Sequence, residues 1–327
     1  DKYEMVKTLV DTFDNIDLNG DENDDFSPLY FACESNAINI VSFLLNQDKI
    51  NVNKQNGYSK MTALIFACSK NFNEIVGLIL KHPKVDVNLA DCDGKTSLHF
   101  AIEQKNEEIV NLLLNENLTI NINIVDKYRL ASPLHYACET GNLNIIDALI
   151  NFSQKSQKNK NSEEINSDRK ISEEKVFDNQ NSEEKNFDEN NCEVKSDAIK
   201  VDSLEFNCKD EQNRTPLHIA VNSNFVDCVE LLLKVRNIEI NATDVNKIVP
   251  LHLACKNKNV DIVKLLVSCN EIDINAQDSS GFTALHYACE SGNEEIVSIL
   301  LNKEGILTDV EDQILLIIFF SYFGFHY

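Results

Sequence analysis

The order of hydrophobic and polar positions repeats along this chain with a period close to 34 residues. A six-residue box marks each return, with Leu third, Ala sixth and, in six of the seven copies, Ser or Thr first. The boxes start at Ser27, Thr62, Thr96, Ser132, Thr215, Val249 and Thr283, which lie 35, 34, 36, 83, 34 and 34 residues apart. Such a period indicates an array of stacked units, numbered one to seven from these starts.

Each box predicts the start of a helix. Ser or Thr caps the first free amide groups, and Pro at the first helical position gives up no hydrogen bond there. A second apolar group follows each box, as in Ile75–Leu80, with the spacing of a broad apolar helical face. Each unit therefore predicts two helices.

The connections between these helices also repeat. Asn or Gly at the turn inside a pair favours left-handed backbone, at Asn36, Asn71, Gly141, Asn224 and Gly292, whereas Lys105 and Lys258 depart from that preference. After the second helix comes an extended segment ending in Asn, at Asn53, Asn88, Asn123, Asn207, Asn241 and Asn275. This segment predicts a protruding loop, or finger.

The box Thr215–Ala220, the helix Ile109–Leu114 and the Val-Asn-x-x-Asp segment Val87–Asp91 resemble the ankyrin repeat. The resemblance implies an all-α solenoid of stacked antiparallel helix pairs with protruding fingers. It places ankyrin repeats at 20–151 and 205–301, and residues 1–19 as the tail of a truncated earlier repeat.

Two segments break the pattern. Residues 152–204 are polar, with Ser-Glu-Glu copies starting at Ser162, Ser172 and Ser182, and predict a disordered low-complexity insert. The insert is either a neutral expansion or a regulatory segment phosphorylated on these serines. Residues 302–327 form an atypical hydrophobic tail, either docked on the last repeat or the product of a truncated or frame-shifted end; its apolar run is too short for a membrane span.

Charge and cysteines narrow the classes of partner and compartment. With 53 acidic and 30 basic residues the formal charge is -23, which opposes nucleic acid and predicts a protein partner with a basic patch. Five of the ten cysteines follow the Ala of the box, and the others form no zinc or disulfide pattern. Reduced thiols and the lack of a leader pattern predict a cytoplasmic location.

The chain carries no recognisable catalytic constellation. Five histidines share one slot of the box, at His99, His135, His218, His252 and His286. The resemblance implies that they brace loops, and at about 10 Å between stacked helices they cannot share a metal ion. Phosphate loops and nucleophile elbows are missing, so we expect neither enzyme activity nor a cofactor, metal or small-molecule substrate.

The resemblance implies binding positions at the finger tips and late in the first helices. They are Lys127, Tyr128, Leu130, Glu139, Thr140, Glu211, Gln212, Arg214, Asn222, Ser223, Asn246, Ile248, Lys256, Asn257, Ser279, Ser280, Phe282, Glu290 and Ser291. We expect a scaffold or adaptor that binds another protein on the concave ankyrin face. The alternative is the recognition region of a larger polypeptide whose effector domain lies outside this chain.

Overall fold

The computed structural model describes residues 2–13, 16–20, 26–116, 119–155 and 204–307. In these ranges helix α1 spans Lys2–Thr12 and seven helix pairs follow it. The pairs are α2 Pro28–Glu34 with α3 Ile38–Leu45, α4 Ala63–Ser69 with α5 Asn73–Leu80, α6 Ser97–Glu103 with α7 Glu107–Glu116, α8 Pro133–Thr140 with α9 at 143–155, α10 Pro216–Asn222 with α11 Val226–Leu233, α12 Pro250–Lys256 with α13 Val260–Ser268, and α14 Ala284–Ser291 with α15 Glu294–Leu301. The described residues contain no strand beyond one isolated antiparallel bridge, between Ala90 and Thr96. Two helices per repeat are thus confirmed.

Neighbouring repeats supply each other's core. First helices pack against first helices, as α4 does against α6, and second helices pack against second helices, as α11 does against α13. The third residue of every box is buried in this interface: Leu29, Leu64, Leu98, Leu134, Leu217, Leu251 and Leu285. Helix α1 packs against α3, so it occupies the place of a second helix. Stability is therefore distributed over successive interfaces along the array.

The box histidines clamp each helix start to the next repeat. His218 Nδ1 accepts the backbone N–H of Thr215 at 3.1 Å, and His218 Nε2 lies 3.0 Å from the carbonyl oxygen of Ile248. These partners assign the proton to Nε2, which donates to that carbonyl. The arrangement recurs at His135 and His252, which confirms a structural role for this slot.

All seven turns inside the helix pairs are left-handed. The predicted residues Asn36, Asn71, Gly141, Asn224 and Gly292 have φ between 49° and 69°. Lys105 and Lys258, which break the sequence preference, adopt the same conformation at 54° and 59°. Packing of the two helices fixes the turn, so a residue without a left-handed preference is forced into it at a cost of roughly 1–2 kcal/mol.

The array continues across the insert. Backbone N–H groups of Glu205 and Glu211 donate to Asn123 Oδ1 at 3.0 Å and to the carbonyl of Arg129 at 2.7 Å. Helix α9 runs on to 155, with Phe152 buried, and the chain is again part of the folded array at Leu204. Both edges of the predicted 152–204 insert thus belong to the array.

The remainder of that insert, 156–203, and the tail 308–327 lie outside the described residues. No helix in the described ranges is long and apolar enough to cross a membrane.

Candidate protein-binding surface

Five of the six fingers in repeats 2–7 turn around a fixed carboxylate. In repeat 7, Asp278 Oδ1 accepts backbone N–H groups from Ser280 at 2.8 Å and Phe282 at 2.9 Å. The same pattern of two backbone donors recurs at Asp91, Asp126, Asp210 and Asp244. Repeat 2 has Asn56 in this place, and its Oδ1 accepts the Met61 N–H at 3.2 Å. The turn residue therefore holds the finger backbone through these hydrogen bonds.

The residue two positions before each box start lies in the left-handed region in every finger of repeats 2–7. These residues are Lys60, Gly94, Leu130, Asn213, Lys247 and Gly281, with φ between 51° and 84°. Sequence reasoning missed this position, although Gly94 and Gly281 in the same register were a usable signal. Leu130 is the one apolar side chain among these six.

Backbone hydrogen bonds join successive fingers into a row. The donor is the residue after the turn carboxylate and the acceptor a carbonyl of the preceding finger: Cys92 to Ser59 at 2.8 Å, Lys127 to Asp93 at 2.9 Å, Glu211 to Arg129 at 2.7 Å, Val245 to Gln212 at 3.0 Å, and Ser279 to Asn246 at 2.8 Å. Side chains at the finger tips thus keep a fixed spacing from repeat to repeat.

The asparagines that end the extended segments hold the finger bases together. Asn241 donates its Nδ2 to the Glu271 carbonyl at 2.7 Å and accepts the Asp273 N–H on Oδ1 at 2.9 Å. Asn53, Asn88 and Asn207 bond the next repeat in the same way. The amide of Asn donates through Nδ2 and accepts on Oδ1 at the same time, which fits Asn to these positions.

Family descriptions match most of this sequence. "Ankyrin repeats (3 copies)" matches residues 1–56, 49–126 and 238–312, and "Ankyrin repeat" matches 129–156 and 212–245. The chain belongs to the ankyrin repeat family. No curated protein matches it.

Solved ankyrin structures share the fold. The ankyrin repeat domain of Bcl-3, described as a unique member of the IkappaB protein family, gives a TM-score of 0.61 at 19% identity, covering 85% of this chain and 100% of that chain. The human ASB11 ankyrin repeat domain gives 0.56 at 21% identity, covering 86% and 100%. At these identities the likeness establishes the ankyrin fold alone.

The predicted binding residues lie on the row of ankyrin fingers and at the ends of first helices, and none is buried. Exposed members are Lys127, Tyr128, Leu130, Glu139, Glu211, Gln212, Asn222, Asn246, Lys256, Ser279, Ser280 and Glu290. Half-buried members are Thr140, Arg214, Ser223, Ile248, Asn257, Phe282 and Ser291. We define the inner face as the segments from six residues before to eight after each box start in repeats 2–7: 56–70, 90–104, 126–140, 209–223, 243–257 and 277–291.

Two of the predicted residues also serve the ankyrin scaffold. The Arg214 guanidinium lies 2.7 Å from a carboxylate oxygen of the buried Asp210, so it braces its own finger. Phe282 stacks on the His286 ring with centroids 5.3 Å apart. Substitution of either would therefore disturb the array.

Other exposed side chains on the fingers were missed. Tyr58 stands at the tip of the repeat 2 finger and is 90% exposed, in the place that Tyr128, 69% exposed, holds in repeat 4. Val245 is also exposed in repeat 6. Repeats 2 and 4 share a finger that is one residue longer between its turn residue and the box, and both place a tyrosine two residues after Asn56 or Asp126. That shared pattern was the available signal.

The charge of the inner face differs from that of the whole chain. Its six segments hold nine basic and ten acidic residues, whereas the chain has a formal charge of -23. Five of the ten acids are the turn aspartates, committed to backbone N–H groups, four of them buried. The acidic excess therefore lies elsewhere, and the basic-patch expectation, which rested on total charge, does not follow for this face.

Burial in the ankyrin scaffold favours the uncharged forms of the box histidines and of Cys208. Burial lowers the pKa of His99 to about 4 and also lowers the pKa of His135. Cys208 Sγ lies 3.2 Å from Ser132 Oγ and 3.7 Å from His135 Nδ1, but burial raises its pKa to about 11. Neither thiolate nor imidazolium is favoured there. In the described ranges no three His, Cys, Asp or Glu residues are placed to hold a metal ion.

Proposed function

We propose that this ankyrin array is a protein-binding scaffold whose partner lies across the inner face. The observation that carries the proposal is the fourth finger, where Tyr128 and Leu130 are 69% and 45% exposed on a backbone fixed by hydrogen bonds to both neighbouring fingers. A rigid row of side chains loses little entropy on binding, which favours affinity.

The conformation of Leu130 supports this assignment. Its φ of 51° places a branched apolar side chain in the left-handed region, where repeats 3 and 7 have Gly94 and Gly281. The strain costs roughly 1–2 kcal/mol, and the side chain is too exposed to recover that energy by burial. Strained, exposed residues of this kind cluster at binding sites.

Tyr128 is the expected anchor of the interface. Aromatic side chains dominate interface energies because they bury large areas with few rotatable bonds. The Tyr128 N–H is held by Asp126 Oδ1 at 3.0 Å, so the tip presents its ring at a defined position. A partner that covers this tip would also contact the first-helix ends, where Glu139 is exposed.

The test compares capture of proteins from an extract of the source cell by the full chain and by two variants. Tyr128→Ala with Leu130→Gly removes both tips, and Leu143→Ala removes an exposed apolar side chain from α9, outside the inner face. We expect a protein retained by the wild type and by Leu143→Ala to be lost from the double variant, with thermal unfolding of all three chains intact. Equal retention by all three would rule out this face as the binding site.

A further inference from the structure

Aromatic rings and cations alternate on the inner face of repeats 2–4. The fifth residue of the box is Phe66, Phe100 and Tyr136 in these repeats, but Ile219 and Leu253 in repeats 5 and 6. A basic side chain lies over each of the three rings: Lys70 Nζ is 5.7 Å from the Phe66 centroid, Lys95 Nζ is 5.7 Å from Phe100 and 5.2 Å from Tyr136, and the Arg129 guanidinium is 5.3 Å from Tyr136.

The finger tips of repeats 2 and 4 extend this pattern outward. Tyr58 and Tyr128 are the most exposed large apolar side chains described; Lys60 lies two residues after Tyr58, and Lys127 directly precedes Tyr128. We call Tyr58, Phe66, Lys70, Lys95, Lys127 and Tyr128 the aromatic–cationic strip.

The strip itself holds three lysines and no acidic residue. The inner-face segments of repeats 2–4 hold five basic and five acidic residues, so they are formally neutral within a chain of charge -23. Two of the five acids are the buried turn aspartates, and Glu103 and Glu139 are paired with Lys95 at 2.6 Å and with Arg129 at 2.9 Å. Charges further than a Debye length of about 8 Å are largely screened at physiological ionic strength, so the acidic remainder of the chain acts only weakly on the strip lysines.

The spacing of the strip suits an extended ligand. Tyr58 and Tyr128 stand two repeats apart, roughly 20 Å at the usual separation of packed helices. An extended peptide of about six residues covers that distance at about 3.3 Å per residue. Its alternate side chains would meet rings and cations in turn.

We infer that the aromatic–cationic strip binds an extended acidic segment of a partner protein, with Asp or Glu facing Lys70, Lys95 and Lys127 and apolar side chains between them. Lys70 and Lys95 lie over rings of the strip and its neighbours, and charge-assisted hydrogen bonds from lysine to carboxylate are the stronger class. The inference rests on the proposed function and specifies the chemistry of the partner. The partner segment is acidic, whereas the total charge of the chain predicts a partner with a basic patch.

The test selects ligands from a random short-peptide library with the immobilised full chain and compares enriched peptides with the unselected library. The enriched peptides are labelled and titrated against three chains. These are the wild type, the strip variant with Lys70→Glu and Lys127→Glu, and a control variant with Lys81→Glu and Lys84→Glu. The control makes the same charge change in repeat 2 outside the inner face, and Lys81 is a helix C-cap as Lys70 is. Lys70→Gln, Lys127→Gln serves as a second variant without added acid.

We expect enrichment in Asp and Glu, and affinity at least about tenfold weaker for the strip variant than for the control. Peptides that are basic, or equally weakened by both charge reversals, would overturn the inference and leave the proposed function standing if Tyr128→Ala still abolishes their binding. Failure to enrich any peptide that depends on Tyr128 would count against both. The inference would also be overturned if a single-stranded oligonucleotide bound the wild type and lost affinity in the Lys70 and Lys127 variants but not in the control.

Discussion

Ser153 and Leu204 are 51 residues apart in sequence, yet the Leu204 backbone N–H donates to Ser153 Oγ at 2.9 Å. Both residues are buried, at the end of α9 and at the base of the fifth finger. The chain therefore leaves the ankyrin array and returns to it at one place, and the repeats on either side stack directly.

Replacing 156–203 with a flexible linker of about six residues should leave the array folded and raise its free energy of unfolding by up to about 2 kcal/mol, because each halving of a loop lowers its closure cost by about 0.6 kcal/mol. Denaturant unfolding of both chains measures this difference. A less stable deletion variant would mean that the insert contributes contacts to the array. Partner affinity of the same variant, with and without kinase treatment, separates a neutral insert from a regulatory one.

Leu130→Gly should stabilise the array by about 1 kcal/mol while weakening partner capture, since glycine relieves the left-handed strain and removes the exposed side chain. The reciprocal change is available at Gly281, where a Cβ would meet nothing within 4 Å. Gly281→Leu should therefore destabilise by a similar amount through backbone strain alone. Opposite shifts in thermal unfolding of the two variants are the expected result, and a loss of stability in Leu130→Gly would show that its side chain packs.

Sequence reasoning located the helices because the signals were local: a capping residue, a proline and an apolar face within one repeat. Features that depend on the neighbouring repeat were beyond it. The sequence shows that Asn241 ends an extended segment, but its two hydrogen bonds to Glu271 and Asp273 form only when the repeats stack.

The proposed binding face shows the same division. Tyr128 and Leu130 were reached through the family pattern, whereas Tyr58 and the lysine-covered rings of repeats 2 and 3 were not, since a ring over which a cation lies has no sequence signature. Total charge says little about this face, because it averages over the second helices, the insert and the inner face.

Val249→Thr should stabilise the array by about 1 kcal/mol, because repeat 6 is the one repeat whose first helix starts without a side-chain oxygen. The Val249 backbone already has the extended N-cap conformation, with φ -99° and ψ 161°. Thr62 in the same position accepts the Ile65 N–H at 3.1 Å. Thr215→Val removes the equivalent hydroxyl from repeat 5 and should lower the free energy of unfolding by about the same amount, as measured by chemical denaturation. If Val249→Thr destabilises, the new hydroxyl has found no partner in its buried site.

Lowering the pH from 7 to 5 should destabilise the array through its buried histidines. Burial lowers the pKa of His99 to about 4, whereas an unfolded histidine titrates near 6.5. Between these values the unfolded chain binds the proton and the folded chain does not. The contribution of His99 to the free energy of unfolding is therefore fully present above about pH 6.5 and falls as the pH drops.

For His99 alone the loss of unfolding free energy at pH 5 is about 2 kcal/mol. Burial lowers the pKa of His135, His218 and His252 in the same direction. Unfolding free energies at both pH values, compared with His99→Gln, test the assignment: the variant should lose about 2 kcal/mol less on acidification, and an equal loss in both chains would place the titrating group elsewhere.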